Sequence, residues 1–191
     1  MFITLYGTNN TGKTTHAKIL KNRLEALGKK VKIVKYPVYD LEPTGPYLND
    51  FIRAHKNQDI TEAELQMWFS LNRYQFEPQL KKWLEEGYIV IAEDYTGTGI
   101  AWGTAKGLDT SWLEKINFYL LQEDLAILID GPRILSAKEK QHIHEGNDDL
   151  VEKTRQVLQD LSEKYGWKTV MLQDRVEDTA ELIWEIVEGE L

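Results

Sequence analysis

The most definite chemistry in this chain lies in Gly7-Thr8-Asn9-Asn10-Thr11-Gly12-Lys13-Thr14. These residues fit the spacing G-x-x-x-x-G-K-[ST], in which glycines let backbone N–H groups close around phosphate oxygens. The lysine of such a loop reaches the β- and γ-phosphates of a nucleotide, and its hydroxyl residue can ligate Mg²⁺. Lys13 and Thr14 hold those two positions, with Thr15 directly after. The flanks suit the role. Residues 2–6 are an apolar, β-prone run, and residues 14–27 read as a helix whose N-terminus adds partial positive charge. A chance turn before a helix could match the loop, but it would not require a strand ahead of it.

A second chemical group follows the apolar run 88–92, where Glu93 and Asp94 stand side by side. A carboxylate at a strand end can hold Mg²⁺, directly or through water, or accept the proton of an attacking hydroxyl. The bland alternative is a solvated acidic pair opening a loop. Asp130 ends another apolar run, but the adjacent Gly131-Pro132 favours a turn role. Phe69 and Arg73 are four residues apart on an expected helix and so share a face. A ring and a planar guanidinium on one face can stack on and hydrogen-bond a nucleobase, although such a pair is more often packing plus a surface charge. Trp68, Trp83, Trp167 and Trp184 read as core or partial-core aromatics. The polar segment 136–144 holds Lys138, Lys140, His142 and His144 and fits either a phosphate-closing lid or a solvated loop. Its histidines, two apart, do not share a helical face and are not read as a metal site.

These groups need a scaffold that brings them together. Strand and helix signals alternate along the chain, which predicts a mostly parallel sheet with helices on its faces. Strands are expected at residues 2–6, 31–36, 88–92, 125–129 and 168–172. Helices are expected at 13–27, 47–54, 61–77, 78–86, 111–121, 148–165 and 178–188, the third opened by the capping pair Thr61 and Glu64 and the fourth by Pro78. Ligands of open α/β sheets bind outside the carboxyl ends of the strands. That rule selects the P-loop, residues 36–39, residues 93–102 and the loop after Asp130.

Composition bounds the reading. A chain of 191 residues suits one domain, taken here as 1–191. It has no cysteine, which excludes disulfides and thiolate chemistry. No secretory leader or membrane-length apolar run is evident, so a cytoplasmic protein with no membrane partner is expected. The net charge of −8 argues against broad electrostatic binding to nucleic acid.

The P-loop, Tyr36-Pro37, Phe69-Ser70-Leu71-Asn72-Arg73 and the run from Glu93 to Trp102 come in an order and spacing that resemble the thymidylate kinase family. The likeness extends to the strand ending at Asp130 and to the closing helix entry near Asp174 and Asp178. It implies a three-layer α/β P-loop kinase fold around a five-stranded parallel sheet, a homodimer, ATP with Mg²⁺ as donor, and a deoxypyrimidine acceptor. Gly7, Asn10, Thr11, Gly12, Lys13, Thr14 and Thr15 would then hold ATP, and Thr14 and Glu93 would hold Mg²⁺. Phe69 would stack on thymine and Arg73 would bond its carbonyl. Tyr36 and Pro37 would line the acceptor site, with Tyr39 near the acceptor phosphate. Trp102 would crowd the sugar 2′ position, Thr98 replaces a family serine, and Tyr95 matches the tyrosine of the family's Asp-Arg-Tyr motif.

The chain departs from the family at several positions. Glu93 stands for the aspartate of that motif, and Asp94 stands where its arginine would clamp the acceptor phosphate. Asn9 and Tyr6 replace acidic residues in and before the P-loop. Residues 8–11 and 136–149 contain no arginine to serve the transition state, and Arg133, just before a lid expected at about 133–149, is the nearest substitute. The leading expectation is conversion of dTMP to dTDP, with Lys13, Glu93 and Asp94 at the catalytic centre. The alternatives are a deoxynucleoside kinase acting on a 5′-hydroxyl, with Glu93 or Asp94 as base, and a nucleotide-binding protein with little catalysis. A regulatory GTPase ranks below these, since no Asn-Lys-x-Asp motif occurs.

Overall fold

The computed structural model describes residues 1–53, 60–131 and 148–191. Its strands are β1 (Phe2–Tyr6), β2 (Val31–Lys35), β3 (Ile89–Glu93), β4 (Leu125–Asp130) and β5 (Lys168–Met171). The helices among the described residues are α1 (Lys13–Ala26), α2 (Thr44–Arg53), α3 (Glu62–Glu85), α4 (Thr96–Ala105), α5 (Thr110–Asn117), α6 (Asp148–Tyr165) and α7 (Val176–Glu188).

The strands form one parallel sheet in the order β2-β3-β1-β4-β5. Every residue of β1, β3 and β4 is buried, as expected of strands covered on both faces. One face carries Phe2, Val34, Val90, Ala92 and Leu128 against Phe76 and Leu80 of α3, Ile100 of α4 and Leu158 of α6. The other carries Ile3, Leu5, Ile91 and Ile127 against Ala17, Leu20 and Leu24 of α1 and Ile183 and Val187 of α7.

This layering creates the site. β1 hands the chain to α1 on one face, whereas β3, its hydrogen-bonded neighbour, hands it to α4 on the other. The chain therefore splits above the adjoining ends of β1 and β3 and leaves a crevice there, as open α/β sheets do where their connections diverge.

Two helices differ from the sequence reading. Pro78 was expected to start a new helix, yet α3 runs unbroken through it. A proline inside a helix removes one backbone bond. Here Phe76 and Leu80, on either side of Pro78, are both buried in one core cluster, and burial on both sides offsets the lost bond. No helix was expected between residues 92 and 111, yet Thr96–Ala105 form α4, although glycine is a poor helix former. Its glycines instead admit close neighbours. A Cβ at Gly97 would lie 2.4 Å from the Trp167 ring, and one at Gly103 would lie 2.8 Å from Leu113. Elsewhere the expected strands and helices agree with the observed ones to within a few residues. Residue 54 and most of the expected lid fall outside the described residues, while Asp148 and Asp149 form the first turn of α6.

Candidate active site

The P-loop takes its shape from backbone that side chains would obstruct. Gly7, Asn10 and Gly12 have φ of 152°, 66° and 82°. A Cβ at Gly7 would sit 2.7 Å from the Ile129 carbonyl oxygen, so the first glycine position cannot carry a side chain without displacing β4. Thr11 is buried and its hydroxyl donates to the Thr8 carbonyl at 3.0 Å, bracing the loop from within. α1 starts after Gly12 with no side-chain cap, which leaves its first amides facing the crevice. Lys13 folds back over this loop, donating to the carbonyls of Gly7 and Thr8 at 2.8 and 2.9 Å.

Register aligns the P-loop with the acidic pair. Leu5 of β1 lies opposite Glu93, and the Asp94 amide donates to the Leu5 carbonyl at 3.1 Å. The Thr14 hydroxyl donates to Glu93 Oε2 at 2.5 Å. These two hard oxygen donors meet at the mouth of the P-loop, a set that suits Mg²⁺. Asp94 adopts φ 62° and accepts from the Thr98 hydroxyl at 2.9 Å, with Lys13 Nζ 3.6 Å from the same oxygen. Aspartate tolerates the left-handed region better than most residues.

The far end of the crevice is built by α3 and α4. Phe69 and Arg73 both line the cavity. Arg73 is 5% exposed, and its Nη1 donates to Asn117 Oδ1 at 3.0 Å. Asn117 is held by the Leu113 carbonyl at 2.8 Å and accepts from Ser70 at 3.2 Å, so α5 fixes the guanidinium's direction. Gly99 leaves room for it, since a Cβ there would lie 2.6 Å from Arg73 Nη2. Burial pulls the Arg73 pKa below the usual arginine value and pushes the phenols of Tyr36 and Tyr95 upward. Asn72 shapes the rim. Its amide bonds both backbone groups of Val38 and the Thr44 hydroxyl, fixing the segment after Pro37.

These ends open onto one cavity of about 500 Å³. Among the described residues, seven buried side-chain polar atoms lack a partner, and four belong to residues lining this cavity: Asn10 Nδ2, Tyr36 Oη, Arg73 Nε and Tyr95 Oη. Unpaired buried donors are costly and rare, so their convergence here fits a polar ligand.

Of the residues singled out in the sequence, Asn10, Gly12, Lys13, Thr14, Thr15, Tyr36, Pro37, Tyr39, Phe69, Arg73, Glu93, Asp94, Tyr95, Thr98 and Trp102 line the cavity. Gly7 and Thr11 lie behind it and shape the loop, and Arg133 is outside the described residues. Asp130 faces elsewhere. It accepts from Arg155 Nε at 2.6 Å, Gln159 at 2.7 Å and the Gly131 amide at 2.9 Å, a structural set that docks α6 on β4. The sequence reading missed Lys35, Arg53 and Gln66, which also line the cavity. Lys35 is findable as the residue before Tyr36 at a strand end. Arg53 carries no local signal.

Comparison with known proteins agrees with this architecture. A thymidylate kinase family model matches residues 5–183. The chain is 35% identical over 140 residues to a thymidylate kinase of a Geobacter species, covering 69% of this chain and 60% of that protein. It is 31% identical over 166 residues to the thymidylate kinase of Thermosipho melanesiensis, covering 81% and 80%. A relative from Citrifermentans bemidjiense is 34% identical, and the chain spans 60% of its length, as it does for the Geobacter protein. The structure of thymidylate kinase from Candida albicans superposes with a TM-score of 0.82 at 23% identity, covering 99% of this chain and 91% of that one, which establishes the shared fold. With a matching family model across nearly its whole length, the chain belongs to the thymidylate kinase family.

Proposed function

We propose that this protein transfers the γ-phosphoryl group of ATP to the 5′-phosphate of a deoxypyrimidine nucleotide, converting dTMP to dTDP. The observation that carries the reading is a single cavity with a P-loop at one end and the Phe69–Arg73 face at the other. That arrangement can hold two phosphorylated ligands end to end, as direct transfer requires.

In this mechanism the P-loop amides and Lys13 receive the donor's phosphates. Lys13 must exchange its carbonyl partners for phosphate oxygens, a change of acceptor for the same ammonium donors. Thr14 and Glu93 would hold Mg²⁺, which would supply charge neutralisation for the donor's phosphates. Phe69 stacks on the base and Arg73 donates to its carbonyl. Trp102, buried beside the sugar, disfavours a 2′-hydroxyl. Tyr36, Pro37, Tyr39, Tyr95 and Thr98 complete the acceptor wall. Asn10 and Thr15 complete the donor side.

The contact between Asp94 and Lys13 favours one second reading, a deoxynucleoside kinase. Once Lys13 turns to the donor, Asp94 is a carboxylate beside the acceptor position and suits a base for a 5′-hydroxyl. ATP–Mg²⁺ turnover against dTMP, thymidine and the other deoxynucleotides and deoxynucleosides decides between them. Turnover of dTMP supports the first reading, turnover of thymidine alone supports the second, and ATP binding without turnover points to a binding protein.

A cytoplasmic, single-domain homodimer is part of this proposal. Among the described residues no helix is long and apolar enough to cross a membrane. Met67 and Leu71, one turn apart on the α3 face opposite Phe69 and Arg73, are 48% and 49% exposed and suit a partner copy.

A further inference from the structure

The acceptor phosphate in the proposed reaction is a dianion entering a crevice that already holds Glu93 and Asp94. The residue at position 94 offers it repulsion. The cavity nevertheless carries excess positive charge, because Lys13, Lys35, Arg53 and Arg73 line it against those two carboxylates. Two of the four cations have their places in the proposed reaction. Lys13 lies in the P-loop, bonded to Gly7 and Thr8, and serves the donor. Arg73 is buried at the base end and fixed by Asn117. The rest of the positive lining is Lys35 and Arg53.

Both are placed for the purpose. Lys35 ends β2 directly opposite Glu93 in the parallel register. Register partners on adjacent parallel strands project to the same face, so Lys35 starts from the face of the sheet on which Glu93 meets Thr14. Arg53 ends α2, where Asn49 Oδ1 accepts from its Nε at 2.8 Å and its guanidinium lies 5.8 Å from the centre of the Tyr39 ring. A planar fork steadied by a hydrogen bond and an aromatic face is well organised to grip phosphate oxygens in pairs.

We propose that Arg53, assisted by Lys35, is the clamp for the acceptor's 5′-phosphate in this protein and determines its preference for a nucleotide over a nucleoside. This rests on the nucleotide-acceptor reading given above. Arg53 would make the directional bonds, and Lys35 would act as a point charge that also offsets Glu93. The phosphate is thus held from the α2 and β2 side of the crevice, leaving Asp94 to its contacts with Thr98 and Lys13.

The test is titration calorimetry of dTMP and thymidine with the wild type and with Arg53→Gln, Arg53→Lys and Lys35→Gln. Arg53→Gln is expected to weaken dTMP binding by about 10- to 100-fold and to change thymidine binding by less than about twofold. Arg53→Lys should recover part of the loss, and Lys35→Gln should show a smaller loss with the same selectivity. Equal losses for dTMP and thymidine would overturn the clamp, since they would mean that the pocket itself was damaged. Wild type that prefers dTMP, with Arg53→Gln preserving that preference, would overturn the clamp alone. Wild type that binds thymidine but not dTMP would overturn the clamp together with the nucleotide-acceptor reading.

Discussion

The ammonium of Lys13 lies 3.6 Å from Oδ1 of Asp94, joining the P-loop to the first residue after β3. Both groups are largely buried, with side-chain exposures of 8% and 15%, so the attraction is less screened than at a surface. Asp94 is thereby paired with a group that the proposed donor nucleotide would claim. Asp94, which the resemblance aligns with a phosphate-clamping arginine, is here tied to the P-loop lysine.

Replacing Asp94 by arginine tests what this tie does. The new guanidinium should raise affinity for dTMP by about tenfold while leaving thymidine binding little changed. The backbone at φ 62° suits aspartate better than arginine, so a loss of roughly 1 kcal/mol in stability should accompany the gain, seen as a Tm lower by about 2–4 °C. Calorimetry with both ligands and a thermal melt read the two effects separately. Unchanged dTMP affinity would place residue 94 away from the acceptor phosphate.

Lys13→Ala should leave acceptor binding largely intact and lower kcat by roughly 10³-fold or more, because the ammonium acts on charge in the transferring group. A comparable loss in dTMP affinity with kcat preserved would move Lys13 to the acceptor side.

The contact between Thr14 and Glu93 leads to an expectation about metal. Thr14→Ala and Glu93→Gln each remove one oxygen donor from the proposed Mg²⁺ position. Each should raise the Mg²⁺ concentration needed for half-maximal turnover by about tenfold or more, with base recognition unaffected. A Mg²⁺ requirement equal to that of the wild type would remove the pair from metal binding.

Much of this site could be read from the sequence because its parts are local. The P-loop is a continuous pattern whose spacing encodes its geometry, and Phe69 and Arg73 lie one helical turn apart. The central strands were legible because burial on both faces makes them largely apolar runs, as in residues 89–92 of β3 and 125–129 of β4. What escaped depended on tertiary contact. α4 is glycine-rich because Trp167, Arg73 and Leu113 crowd its backbone, and nothing in its local sequence names those neighbours. Pro78 sits inside α3 because Phe76 and Leu80 are held on both sides of it. Asn117 positions Arg73 from 44 residues away, and Arg53 reaches the cavity from the end of α2.

The crowding at Gly99 gives a selective mutation. A Cβ there meets the Arg73 guanidinium at 2.6 Å, the far end of a flexible side chain. Gly99→Ala should therefore displace Nη1 from its 3.0 Å bond to Asn117, at a stability cost of about 1–3 kcal/mol for the buried bond it breaks. KM for the acceptor is expected to rise by about tenfold with KM for ATP unchanged, since a misdirected donor loses about one hydrogen bond to the base. A rise in both KM values, or a collapse in Tm, would mean that α4 itself had moved.

Asp130 gives the pH-dependent expectation. Burial raises its pKa, but bonds from Arg155, Gln159 and the Gly131 amide outweigh this and leave it below the usual aspartate value. Between the folded and unfolded pKa values the unfolded chain holds the extra proton, so stability rises with pH in that window. The contribution is fully present above the unfolded value of about 3.9 and disappears as the pH falls through the lower folded value. Asp130→Asn keeps the shape but loses the charge opposite Arg155, and should lower stability at pH 7 by about 1–3 kcal/mol. Urea unfolding of both proteins at pH 7 and at successive values below pH 4 should show the deficit shrinking as the wild-type carboxylate is protonated. A deficit that stays constant across that range would mean that the mutation acts through packing of α6 on β4 and not through the charge of Asp130.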